Sequence, residues 1–95
     1  MGISTQSVTR TSTGNVSLRQ LHHVTFNETS AAATAAFTLR ADSSGGRVVC
    51  KRTLLANESD DADYANPVKA SDDATPLFHL TVDSGAVSVT CVGEV

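Results

Sequence analysis

The chain has 95 residues and a mass of 9.9 kDa, with 7 Lys and Arg against 10 Asp and Glu, a net charge of -3 and a pI near 5.4. That length supports one hydrophobic core rather than two, and the acidic balance excludes the basic footprint that nucleic-acid binding needs. With 40% hydrophobic residues, a mean hydropathy of -0.06 and no apolar run near the roughly 20 residues that cross a bilayer, the chain reads as neither membrane-spanning nor disordered.

Residues 1–15 offer Ile3 and Val8 as apolar side chains among Ser, Thr and Gln, and the opening Met-Gly-Ile-Ser-Thr-Gln lacks the basic and apolar regions of a secretory signal. They read as an extended N-terminal arm, a strand wherever a partner is present, and residues 16–95 as the single domain. From Val16 to Asn27, Val24 and Phe26 keep a two-residue period while Leu18 and Leu21 fall out of step; a strand with a bulge near Gln20 reconciles them. Asn27 to Ala32 is a turn. Ala33, Ala35, Phe37, Leu39 and Ala41 then alternate with Thr34, Ala36, Thr38, Arg40 and Asp42, which predicts a strand with one core face.

Asp42-Ser43-Ser44-Gly45-Gly46 reads as the turn of a hairpin whose return strand is Arg47 to Leu55. Neither face of that return strand is purely apolar, so its inward side stays open. The acid-rich run Asn57 to Asp63 reads as a solvated loop, Tyr64 to Ala70 as a short strand held to an edge or bend by Pro67, and Ser71 to Pro76 as a turn. A second hairpin is expected at the end: Phe78, Leu80 and Val82, a turn at Asp83-Ser84-Gly85, then Val87, Val89 and Cys91.

Eleven Ser and twelve Thr favour pleated, half-buried surfaces over helices. The expected class is therefore all-β, a small antiparallel β-sandwich or jelly-roll-like barrel with the extended N-terminal arm. With four aromatic residues (Phe26, Phe37, Tyr64, Phe78), the core must be thin and aliphatic, so association with other copies or a larger assembly is expected.

Reacting groups are hard to assemble from these residues. Cys50 and Cys91 lie on apolar-patterned strands and read as small buried hydrophobes, with a disulfide open to them if their strands lie side by side. His22 and His23 are neighbours, which on a regular strand points them to opposite faces, and His79 on the last pair of strands is placed to approach one of them. No metal, cofactor or Ser-His-Asp arrangement is assigned, and the Glu58 to Asp63 run lacks the calcium-loop spacing. No enzymatic activity is expected. Arg40, Arg47, Lys51 and Arg52 gather at the first hairpin, either as edge charges that block stray sheet pairing or as a contact for an acidic partner.

From Leu18 to Val92 the chain resembles small β-rich virion proteins of tailed bacteriophages. The residues that carry the likeness are Leu21-His22-His23-Val24-Thr25-Phe26, Ala35-Ala36-Phe37-Thr38-Leu39-Arg40-Ala41-Asp42, Ser43-Ser44-Gly45-Gly46-Arg47-Val48-Val49 and Leu77-Phe78-His79-Leu80-Thr81-Val82 before Ser84-Gly85. The resemblance implies a capsid decoration (cement) protein on the outer surface of the head, assembled in the host cytoplasm and binding the major capsid protein or other virion proteins. It also implies a homo-oligomer, with a trimer favoured at three-fold positions. The residues expected at such contacts are Ile3, Val8, Arg10, Arg40, Arg47, Lys51 and Arg52, and removing residues 1–15 is expected to abolish capsid binding while sparing the fold. The alternative is a tail- or fibre-associated module that binds host glycans through the loops at Glu58 to Asp63 and Ser71 to Pro76.

Overall fold

Period-2 alternation dictates strands, and the computed structural model, which describes residues 5–41, 46–69 and 78–94, contains eight of them and no helix among those residues. They are β1 (Thr5–Arg10), β2 (Gly14–Val16), β3 (Gln20–Glu28), β4 (Ala35–Ala41), β5 (Val48–Leu54), β6 (Ser59–Lys69), β7 (Phe78–Ser84) and β8 (Val87–Glu94). Two antiparallel four-stranded sheets result, in the orders β1-β8-β3-β6 and β2-β7-β4-β5. The first strand thus pairs with the eighth, the second with the seventh, the third with the sixth and the fourth with the fifth. That is the winding of a jelly roll, a long folded-back ribbon rolled into two facing sheets.

The core lies between the sheets and comes from the alternating positions. Leu21, Val24, Phe26, Val87, Val89 and Cys91 of one sheet face Val16, Phe37, Leu39, Cys50, Phe78 and Leu80 of the other, all of them buried. Phe26 and Phe37 meet across the interface with ring centroids 5.0 Å apart and planes tilted by 59°, a favoured geometry for an aromatic pair. The predicted core face of the strand around Phe37 holds for Ala35, Phe37, Leu39 and Ala41, all fully buried, but not for Ala33, which is exposed and precedes β4. The inward side of β5, left open by the sequence, carries Cys50 and Leu54.

Several expectations are corrected. Thr5–Arg10 and residues 14–15, placed by the sequence in a separate arm, are extended, but their partners are this chain's own β8 and β7. Ile3 lies outside the described residues, as do residues 42–45 of the turn expected at 42–46 and the whole of the turn expected at 71–76. The single strand expected from Val16 to Asn27 is two, because the chain leaves one sheet after Val16 and enters the other at Gln20. The bulge falls one step later than Gln20, between Leu21 and His23.

Ser59 to Asp63, expected as a loop, begins β6. An edge strand can carry three Asp because one of its faces and one of its sides remain in water. The expected terminal hairpin is an arch. β7 and β8 are correctly located, but they belong to different sheets and meet face to face rather than side by side. Gly85, at φ +70°, makes that turn, and a Cβ there would press on the backbone of Thr34 and Ala35. Of the predicted hairpins, only β4–β5 is one.

Candidate functional site

The bulge in β3 determines what the first sheet shows to solvent. Leu21 and Val24 both point inward, three positions apart, so His22 and His23 both point outward instead of to opposite faces. His22 Nε2 lies 2.6 Å from Glu94 Oε2 on β8. His23 is held from the other side, with Nε2 3.2 Å from Asp61 and Nδ1 3.2 Å from Asp63, both on β6. His79 approaches neither; it lies on the other sheet, with Nδ1 2.9 Å from Asn15 Oδ1. Among the described residues, no three His, Cys, Asp or Glu are grouped to hold a metal ion.

The rest of this outer face is rich in hydroxyls. Thr9, Thr90, Thr25 and Asp61 stand in one cross-strand row, with Thr9 and Thr90 hydroxyls 2.9 Å apart. Acid charge is concentrated at the β6 end, through Asp61 and Asp63, and declines to none on β1.

The predicted basic cluster is divided rather than gathered. Arg40 and Lys51 lie on the outer face of the second sheet, Arg40 opposite His79 and Lys51 opposite Thr38. Arg52 falls on the inner side of β5 at the rim of the sandwich, its guanidinium 5.8 Å from the Phe26 ring centroid. Arg47 donates to the Lys69 carbonyl at 2.6 Å, tying the start of β5 to the end of β6. Arg10 donates to the carbonyls of Ser12, Thr13 and Asn15, clasping the β1–β2 turn. Val8 is half-buried against the core, paired with Cys91. Of the predicted contact residues, Arg40 and Lys51 thus share the outer face of the second sheet, Val8 and Arg10 share β1, and Arg47 and Arg52 lie apart from both pairs.

Two clusters are internal. Cys50 and Cys91 are free, buried thiols that share a pocket of the core with Tyr64. Burial pushes the Cys91 thiol up to about 12, helped by the Cys50 charge, and raises Cys50 as well. Burial and then Cys50 raise the Tyr64 hydroxyl to about 12. Thiols held protonated in this way are poor nucleophiles and poor metal ligands.

The other is Glu28, which sequence reading passes over as part of a turn. Its carboxylate accepts from the Asn57 amide at 3.0 Å, the Ser30 amide at 2.8 Å, the Ala31 amide at 2.7 Å and the Ser30 hydroxyl. Ala31 and Asn57 both adopt positive φ, at 60° and 61°, so one side chain fastens two strained crossovers at the same end of the sandwich. The Asn57 amide first, then the Ser30 hydroxyl, lower its pKa from the ordinary 4.5 to about 2, against the opposing effect of burial. A folded pKa below the unfolded one means stability that is complete above about 4.5 and lost as pH falls toward about 2. Glu28→Gln should therefore melt below the parent protein at pH 7, with the two melting temperatures converging by about pH 2. Melting curves that remain equally separated across that range would show that the carboxylate charge plays no part.

These features define an eight-stranded jelly-roll sandwich with two polar outer faces, in which no buried side-chain nitrogen or oxygen lacks a hydrogen-bond partner among the described residues. Compared with known protein families, curated proteins and solved structures, the chain matches none.

Proposed function

We propose that this protein is a non-catalytic structural module of a tailed-phage virion, a capsid decoration protein that stabilises the head through protein–protein contacts. The observation that carries this reading is the use made of its polar side chains. Glu28, Arg10, Arg47, Thr38 and both core thiols are occupied with this chain's own loops, strands and core. What faces outward is polar sheet and strand edge, a geometry suited to adhesion over area and to strand addition. Jelly rolls serve viral capsid domains, and the sequence resemblance points the same way.

Arg40 and Lys51, diagonal to each other across β4 and β5 on the outer face of the second sheet, fit an acidic surface on the major capsid protein. The test is co-sedimentation of the purified protein with empty heads of the phage that carries its gene, beside a glycan-array screen. Saturable binding to heads that weakens for Arg40→Glu/Lys51→Glu is the expected result. Binding to glycans with none to heads would overturn it in favour of a tail- or fibre-associated recognition module. Removing residues 1–15 would disturb the fold itself, because it takes β1 and most of β2, an edge strand of each sheet.

A further inference from the structure

Each sheet has two edge strands, and three of the four are protected against pairing with a foreign strand. β6 carries Asp60, Asp61, Asp63 and Pro67 and breaks register between its partners Leu21 and His23. β5 carries Lys51 and Arg52 and has its own register slip opposite Leu39 and Arg40. β2 is only three residues long. Charges, proline, bulges and shortness are the usual means by which edges avoid association.

β1 has none of these. Thr5-Gln6-Ser7-Val8-Thr9-Arg10 runs six residues in unbroken register along β8, and its one charge, Arg10, is turned into the carbonyls of its own loop. Among the described residues no strand lies against its other side. We propose that β1 is a self-pairing edge: two copies of this chain join antiparallel along β1, centred on Val8, to make one continuous sheet of eight strands. The inference gives the adhesive reading above a partner, and so rests on it for its purpose, but it is measured without any virion.

The strand is complementary to itself. Antiparallel pairing keeps faces matched when opposed residues have the same parity. Centred on Val8, it sets Val8 against Val8 of the second copy on the core side, and Ser7 against Thr9 of the second copy on the outer side. Arg10 then faces Gln6 of the second copy, so the two arginines lie at opposite ends of the ribbon. The net charge of -3 does not oppose this contact, because the Asp residues of this sheet sit on β6 at the far edge. The pairing is isologous and closes as a two-fold pair, unlike the three-fold arrangement suggested by the resemblance. Six residues a side is small beside the roughly 1,200–2,000 Å² of a stable complex, so the pair is a weak one, reinforced when copies are arrayed on a surface.

Sedimentation equilibrium from about 10 µM to about 1 mM should show reversible conversion from 9.9 kDa to twice that mass. Ser7→Lys/Thr9→Lys places like charges opposite one another twice and should weaken the pair at least about tenfold with an unchanged circular dichroism spectrum. Ser7→Glu/Thr9→Glu should do the same, and mixing the two variants should restore a heterodimer, a recovery that requires both to be folded. Thr53→Lys on the β5 edge should leave the pair unchanged. A monomer throughout the range, a trimer, or a dimer indifferent to the β1 charges would overturn self-pairing at this edge, and none of these would bear on binding to heads.

Discussion

Phe37→Ala should cost about 3–5 kcal/mol of folding stability, a large share of the roughly 5–15 kcal/mol available to a domain of ordinary stability. Phe37 sits on β4, between β7 and β5, and its ring reaches across to Phe26 of the facing sheet. Both side chains are fully buried, and the chain has only two other aromatic residues, Tyr64 and Phe78, with which to fill space. Truncation therefore leaves a void at the centre of the sandwich that small neighbours such as Ala35 and Ala41 cannot close. Urea unfolding measures this directly: the midpoint should fall steeply for Phe37→Ala and much less for Phe37→Leu. A loss for the alanine variant under ~1 kcal/mol would mean the two sheets are not held by this pair.

Gly93→Val should cost about 3 kcal/mol, through crowding rather than a void. Gly93 is buried on the inner side of β8, where β3 slips register between Leu21 and His23. A Cβ at this position would overlap the Gln20 carbonyl oxygen and come within 3.2 Å of Leu21 Cα, and both are backbone atoms with no rotamer to yield. The same bulge turns His22 and His23 outward together, so the substitution should also move their imidazole resonances in a nuclear magnetic resonance spectrum. Wild-type stability together with unmoved His22 and His23 signals would contradict the close approach of β3 to β8.

These two sites also mark how much of the molecule its sequence makes legible. Ala35-Ala36-Phe37-Thr38-Leu39 displays its core face openly, because a half-buried strand must alternate and no other constraint intervenes. Val87, Val89 and Cys91 do the same. Pairing is another matter. Gly85 marks a reversal of the chain, but a reversal serves a hairpin within one sheet and an arch between two equally well, and only the assembled sandwich decides.

The orientation of His22 and His23 is hidden for a related reason, since the bulge that sets it depends on Gly93, seventy residues away in round numbers, admitting the Gln20 carbonyl. Asp60, Asp61 and Asp63 look like loop residues until β6 is known to be an edge strand with His23 across from it. Glu28 is the clearest case. Nothing local distinguishes it from any acid in a turn, because its defining partner, the Asn57 amide, belongs to a different crossover. The basic residues follow the same logic: Arg40, Arg47, Lys51 and Arg52 are close in sequence, yet strand parity and the edge of the sheet send them to three different places.

Adhesion to the outside of a phage head is the claim on which the functional account stands, and electron cryomicroscopy addresses it most directly. Heads from a phage lacking the gene would be imaged with and without the added protein. The account predicts extra density at regular lattice positions on the outer capsid surface, each unit matching a sandwich of 44 × 26 × 19 Å. Bare heads after saturation with the protein, or density confined to the tail tip, would contradict it.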